Sequence, residues 1–461
     1  MIYMGADNNL EPYAIDDINE MEKGIANAIE SGNSDINENM NVIVLFDRAS
    51  DYISLPTEKD GRDWEETRLY RIKPDYTDSQ YFKSERLDGG CGFGHIDPIG
   101  EMNLADPSTL DWFIQYSKYY FPADKYSLII WSHGSGIQKS RSIISNLDVT
   151  KQVVQDNDDF LYIDEVQQAI QNNFNNESKL EFIGFDACYM GMVEVAYEFR
   201  NLSKYMIASM NDIQVNGWDY ESLFGNLINS RDETVIGSDE FAALIVGSYK
   251  EYIENNYNNL GQTLSATDLS NMENLKIKID AFAVEIDSYV DDNISRQSEI
   301  ESIRDVSVNF YNNSIETSVN YPFYDLYDFC NRISSDVNNS FPVNLKTTAD
   351  NVIVELENSI VVAYGDSGNP GNGGSEYYGN GTSVKRGLSI FFSRGNYNHE
   401  GFSHYKEHWW YTNEDTLSWK PGYYYGKVDF CDSDNNGTVE YWREILEKWY
   451  DADNNFTPSS F

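Results

Sequence analysis

Apolar runs of four to seven residues, separated by helical stretches and polar turns, recur through the first half of this 461-residue chain. Met1–Ala6 reads as a strand, and Asp7-Asn8-Asn9 turns it into a helix in which Ile15, Ile18, Met21, Ile25 and Ile29 keep roughly helical spacing. Gly32-Asn33-Ser34 closes that helix, and Asn41–Asp47 follows as a buried strand. Strand, helix, strand at this spacing is a βαβ unit and predicts a parallel sheet. Arg68–Lys73 alternates and predicts a further strand. Asp106-Pro107 opens a helix through Tyr120, with the proline suited to a first helical position. Tyr126–Ser132 is the next apolar strand, and residues 134–159 are polar and read as loop. A helix over Asp164–Phe174 precedes a short buried run, Phe182–Phe185, that turns sharply at Asp186-Ala187-Cys188 and enters a helical pattern over Met192–Phe199. Tyr205–Ser209 is one more strand, leading to a loop at Asn216-Gly217-Trp218.

From about Ser238 the pattern changes. Phe241–Ile253, Met272–Val290 and Phe341–Val362 read as long helices with few strand signals between them. Residues 365–381 are rich in Gly and Asn and read as loop, and Gly387–Ser393 predicts a strand that returns to the first sheet. The expected organisation is an α/β core over 1–237 with a mostly parallel sheet flanked by helices. A helical lobe follows over 238–364, then a loop, returning strand and C-terminal segment over 365–461. No internal repeat is visible.

Two strand ends carry the candidate chemistry. Tyr126–Ser132 delivers His133-Gly134, and Phe182–Phe185 delivers Cys188. A thiol and an imidazole held at the carboxyl ends of strands face the crevice where α/β sheets bind ligands, which is the arrangement a cysteine hydrolase needs. The helix start beyond Cys188 predicts a lowered thiol pKa. The backbone N–H groups of Gly134 and Cys188 would make an oxyanion hole. Asp186 shares the turn with Cys188. It either points into a neighbouring specificity pocket, where it would pair with a Lys or Arg of the substrate, or caps the turn by bonding local backbone.

Composition narrows the class. With 33 basic against 76 acidic residues the net charge is −43. Such a surface repels phosphate backbones and anionic membranes, so nucleic acid is not an expected partner. Four cysteines (Cys91, Cys188, Cys330, Cys431) lack the CxxC spacing of a zinc site and are too few for a disulfide framework. No run approaches the ~18 apolar residues of a membrane span. The chain opens inside a strand without a signal peptide, which favours a leader absent from this sequence over a cytosolic protein.

Further stretches carry a resemblance: Tyr3-Met-Gly-Ala-Asp-Asn-Asn-Leu-Glu-Pro-Tyr13, Trp131-Ser-His-Gly134, Asp186-Ala-Cys-Tyr-Met-Gly191, Asn216-Gly-Trp-Asp-Tyr220 and Tyr423-Tyr-Tyr-Gly-Lys-Val-Asp-Phe-Cys431. With them the chain resembles the clostripain family of cysteine peptidases, within the caspase–gingipain–legumain clan. The resemblance implies a caspase-like sheet with a His133/Cys188 dyad and an acidic S1 pocket containing Asp186. It implies protein or peptide substrates cut after Arg or Lys, and self-cleavage between His133 and Cys188. A second S1 acid is expected downstream of Cys188, with Asp212 and Asp219 as candidates. For self-cleavage, Lys139, Arg141 and Lys151 are available. Lys151 is the expected site and Arg141 the second, because Lys151 lies further out in the loop. Family members can depend on calcium, and many are secreted bacterial proteins, so an extracellular or cell-surface location is expected.

Asp432-Ser-Asp-Asn-Asn-Gly-Thr-Val-Glu440 matches the front half of an EF-hand loop, with Asp432, Asp434 and Asn436 at positions one, three and five. Glu440 could donate at position nine. Arg443 stands where the bidentate Glu belongs, and Glu444 follows it. The competing reading is an Asp/Asn-rich turn before a helix. The expected function is therefore a cysteine endopeptidase. The alternative from another class is a catalytically silent, acidic, calcium-binding surface protein that keeps the fold.

Overall fold

The computed structural model describes residues 1–32, 36–49, 64–77, 81–89, 96–137, 153–156, 159–175, 178–227, 237–257, 261–309, 322–337, 340–365, 386–393, 412–413, 418–419, 428–431 and 440–450. The apolar runs form strands β1 (Ile2–Ala6), β2 (Ile43–Arg48), β3 (Arg68–Arg71), β4 (Glu85–Arg86), β5 (Leu128–Trp131), β6 (Val154–Asp156) and β7 (Asp159–Leu161). They continue with β8 (Leu180–Asp186), β9 (Ser203–Ala208), β10 (Thr263–Asp268), β11 (Phe323–Asp325), β12 (Ile360–Gly365) and β13 (Ser389–Phe391). The helices in the first half are α1 (Glu11–Glu30), α2 (Ile36–Asn39), α3 (Pro107–Tyr120), α4 (Ile163–Asn173), α5 (Val193–Phe199) and α6 (Tyr220–Asn226). Beyond them lie α7 (Ser238–Asn256), α8 (Met272–Val290), α9 (Ile294–Val306), α10 (Leu326–Ser334), α11 (Val343–Ser359) and α12 (Tyr441–Tyr450).

One nine-stranded sheet organises the molecule, in the order β12-β10-β9-β8-β5-β1-β2-β3-β4. Its middle, β9-β8-β5-β1-β2, is parallel, and its outer strands are antiparallel. The parallel strands are buried on both faces, which is why they read as continuous apolar runs rather than alternating ones. Tyr3, Leu45, Ile130 and Phe185 face a core covered by α3, α4, α5 and α8. Met4, Val44, Ile129 and Phe182 face the opposite core, under α1, α6 and α7. Each such side chain, at 6% exposure or less, contributes about 1.5–3 kcal/mol by leaving water. At α3 the predicted start is observed, with the Asp106 carboxylate accepting the Ser108 N–H at 2.8 Å.

Four sequence expectations are corrected. The stretch read as a helical lobe supplies β10 and β12 to the main sheet, so 238–364 is not a purely helical unit. In β10 the residues Thr263, Ser265 and Thr267 are buried polar side chains, and they mask the apolar pattern of a strand. The helix expected through Val362 ends at Ser359, where the chain continues as β12. The returning strand does not rejoin the main sheet. β13 pairs with β11, and the Ser389 N–H donates to the Gly191 carbonyl at 2.9 Å, bracing the chain behind Cys188. The hairpin β6–β7 also occupies part of the expected 134–159 loop.

Candidate active site

β5 and β8 are parallel neighbours in register, Trp131 beside Asp186, so both end on the same edge of the sheet. His133 and Cys188 each lie two residues beyond those paired ends, and both are partly exposed. The loops are in contact through Gly134. A β-carbon there would stand 2.3 Å from the Cys188 carbonyl oxygen and 2.7 Å from its nitrogen, so only glycine lets the two turns approach. Cys330 and Cys431 are buried, and burial, followed by the charge of Asp325, pushes the Cys330 thiol well up. Of the cysteines described, Cys188 is the one that is partly exposed.

The Cys188 turn is held by strain and backbone pairing. Tyr189 adopts a φ of +61°, a left-handed conformation unusual outside glycine. Its N–H donates to the Asn211 carbonyl at 3.0 Å, and its hydroxyl donates to Asp212 Oδ1 at 3.0 Å. The Cys188 Sγ lies 4.0 Å from the Ile213 carbonyl oxygen. The strand–helix break is longer than the sequence suggested. α5 begins at Val193, so Cys188 lies outside the first turn where a helix dipole acts, and that contribution to thiol acidity does not apply.

The His133 side is held by polar contacts. Its Nε2 lies 2.8 Å from Asn9 Oδ1, so with the amide oxygen facing the ring Nε2 is the donor. The preceding Ser132 Oγ donates to the Gly5 carbonyl at 2.8 Å and accepts the Gln155 N–H at 3.3 Å. The sequence gives Asn9 no role beyond the turn after β1, because a polar residue after a strand looks like ordinary turn chemistry. Its signals were its place at the carboxyl end of a predicted parallel strand and inside the Tyr3–Tyr13 stretch.

Asp186 is 4% exposed, and its Oδ2 accepts from the Trp218 N–H and the Tyr220 hydroxyl, both at 3.0 Å. Gly217, at a φ of +62°, packs on the same oxygen. Burial raises this carboxyl to about 7, against the pull of its two donors. Beneath it, Asp17 Oδ2 accepts the Trp131 indole N–H at 2.6 Å, and burial followed by the Asp186 charge holds Asp17 well above the usual carboxylate range. Asp186 therefore anchors the 216–220 loop through long-range bonds, rather than capping its own turn. The two downstream acids separate cleanly. Asp219 caps α6, accepting the Ser222 N–H at 2.9 Å, while Asp212 is exposed and bonded to the residue after Cys188.

Lys139, Arg141 and Lys151 lie outside the described residues, as do Asp432, Asp434 and Asn436. Glu440 is described, and its carboxylate accepts from the Lys276 ammonium, which also holds Asp280 at 2.7 Å. Among the described residues, no helix is long and apolar enough to cross a membrane.

The clostripain family profile matches residues 2–449. Clostripain from Hathewaya histolytica is 30% identical over 508 residues, covering 99% of this chain and 88% of the relative. A secreted C11 cysteine protease from Bacteroides thetaiotaomicron, solved with an irreversible peptide inhibitor, has a similar fold at 19% identity and a TM-score of 0.58, covering 94% of this chain and 97% of that one. An inactive zymogen C11 protease from Parabacteroides distasonis is similar at 19% identity and a TM-score of 0.50, covering 85% and 91%. With a family match over nearly its whole length, the chain belongs to the clostripain family of cysteine peptidases.

Proposed function

We propose that His133 and Cys188 form the catalytic dyad of an endopeptidase that cuts after Arg or Lys. The Cys188 thiolate attacks the scissile carbonyl carbon, and the resulting oxyanion is held by the N–H groups of Gly134 and Cys188. Protonated His133 gives its proton to the leaving amine, leaving a thioester. Water, deprotonated by the imidazole, then attacks the thioester and releases the acid and the thiol. Asn9 is a positioning residue that holds the imidazole through Nε2. The observation that carries this reading is the side-by-side ending of β5 and β8, with Gly134 packed on the Cys188 backbone.

Asp212 is the second S1 acid in this reading, since it is exposed beside Cys188 while Asp219 is engaged as a helix cap. Asp186 forms the pocket floor, with one oxygen tied to the 216–220 loop. Self-cleavage falls at Lys151, with Arg141 second. An extracellular role follows from the likeness to secreted relatives. Fluorogenic peptides with Arg, Lys or Gln at P1 test the specificity: Asp212→Asn should lower kcat/KM for Arg and Lys by about 10–100-fold, the worth of a charge-assisted pair of ~1.5–3 kcal/mol. The Gln peptide should be little affected. Equal losses on all three would remove Asp212 from the pocket. Intact mass of wild type and Cys188→Ala tests processing, with the cut expected in wild type alone.

A further inference from the structure

The amino-terminal edge of the sheet, opposite His133 and Cys188, holds a cavity of about 180 Å³. It opens between the starts of β1, β2 and β5 and the end of α3, and α6 and α7 contribute to its wall. Phe121, Phe182, Phe224 and Phe241 line it, and the Phe182 and Phe241 rings meet edge to face with centroids 5.2 Å apart. Its mouth meets solvent at Ala123 and Lys125, both exposed. Two polar atoms in this largely apolar wall are unmatched. The Ser117 Oγ, on a side chain 1% exposed, and the Asn41 Oδ1 are both buried without a hydrogen-bond partner. Their neighbours are occupied. The Met1 amino group donates to the Ser127 carbonyl at 3.0 Å, and the Tyr126 hydroxyl accepts the Ala123 N–H and donates to the Phe121 carbonyl.

We propose that this cavity is a binding site for a small hydroxylated aromatic molecule of the phenol class. A buried polar atom without a partner is destabilising, and a ligand that supplies the partner recovers the loss. Water alone fits poorly. At about 30 Å³ each, about six waters would fill the space, and each buried water needs about two to four polar partners that phenyl walls do not supply. A wholly apolar ligand would leave Ser117 and Asn41 unmet. An aromatic ring has the right size, since an apolar cavity of about 150 Å³ takes benzene, and this one leaves room for substituents. The phenylalanine rings offer it edge and face contacts. A ring hydroxyl can donate to the Asn41 oxygen, and it can donate to or accept from the Ser117 hydroxyl. The site lies at the far end of β1 and β5 from the dyad, and it does not depend on the peptidase reading.

Calorimetry and thermal unfolding of the full chain carrying Cys188→Ala test the site with two isosteric probes, p-cresol and p-xylene, which differ by a hydroxyl in place of a methyl. p-Cresol should bind saturably and raise Tm. p-Xylene should bind about five- to tenfold more weakly, the worth of one hydrogen bond. Ser117→Ala combined with Asn41→Leu should erase that preference, weakening p-cresol while p-xylene keeps its affinity. Because both atoms are unmet in the parent, this double variant should unfold no lower than the parent when no ligand is present. Ser117→Leu, which fills the cavity, should remove binding of both probes, and Ser117→Val replaces it if the leucine variant does not fold. No saturable binding of p-cresol to the parent would mean that the cavity holds water alone, and would overturn the proposal. Equal affinity for the two probes, or a preference that survives in the double variant, would overturn the assignment to phenols. Unchanged p-cresol binding in the filled variant would put the ligand elsewhere and overturn the site.

Discussion

The two halves of the candidate active site are built in opposite ways. Cys188 is set by packing: a strained Tyr189, backbone bonds to Asn211, and a buried floor in which Asp186 and Asp17 are met by indole, amide and phenol donors. His133 is set by a chain of polar contacts through Asn9, Ser132 and Gln155, and that chain abuts a carboxylate cluster with an orphaned oxygen. Both halves bury acids whose protons burial holds, yet Asp186 and Asp17 are met by donors from Trp131, Trp218 and Tyr220, whereas Asp47 Oδ2 is not met. A half fixed by packing is present as soon as the chain folds. A half fixed by polar contacts between loops is more easily displaced. The thiol should therefore be formed and reactive under conditions where the histidine is not yet in place.

The largest effect is expected where the halves touch. Gly134→Ala puts a methyl group against the Cys188 backbone, and kcat/KM should fall about 10²–10³-fold, the size of losing an oxyanion donor. Hydrolysis within threefold of wild type would show that the two turns need not approach. A smaller effect should be confined to the histidine half. Asn9→Ala should lower kcat about tenfold, near the worth of one hydrogen bond, while alkylation of Cys188 by a small reagent keeps its rate. Asn9→Asp should restore much of the loss and move the imidazole limb of the pH–rate profile upward, because a carboxylate favours the imidazolium. Loss of alkylation together with hydrolysis would mean that Asn9 supports the fold and not the ring.

The smallest effect is on stability, in the cysteine half. The Asp186 carboxyl rises from an ordinary value of 3.8 to about 7 on folding, so the native state holds its proton more tightly than the unfolded chain. Its contribution is complete below about pH 4 and is lost as pH climbs through 7. Glu20 and Glu198, both raised to about 8 mainly by burial, act in the same direction. Asp186→Asn should make the fall in unfolding free energy between pH 4 and 7 shallower, as followed by urea denaturation. A slope identical to wild type would place the titration elsewhere.

The parallel middle of the sheet was legible because strands buried on both faces must be apolar throughout, and His133 and Cys188 stood out as the polar residues that ended two of them. What escaped the sequence was long-range or polar. β10 hides behind Thr263, Ser265 and Thr267, whose hydroxyls are buried with the strand; those of Thr263 and Ser265 bond to Ser209 and the Gly387 carbonyl. Asp186 could be placed in its turn, but its partners lie 32 and 34 residues away and no local pattern announces them. Asp7, Asp47 and Asp156 are scattered over about 150 positions and look like unremarkable turn acids until the sheet brings them together.

The dyad is tested most directly by one paired assay. Hydrolysis of an Arg or Lys peptide and alkylation of Cys188 should be measured on wild type, Cys188→Ala and His133→Ala, each confirmed folded. Both variants should lose about 10³-fold or more in kcat/KM. Cys188→Ala should lose alkylation entirely, while His133→Ala keeps a thiol that can still be modified. Substantial hydrolysis by either folded variant would contradict the assignment of His133 and Cys188 as the catalytic pair.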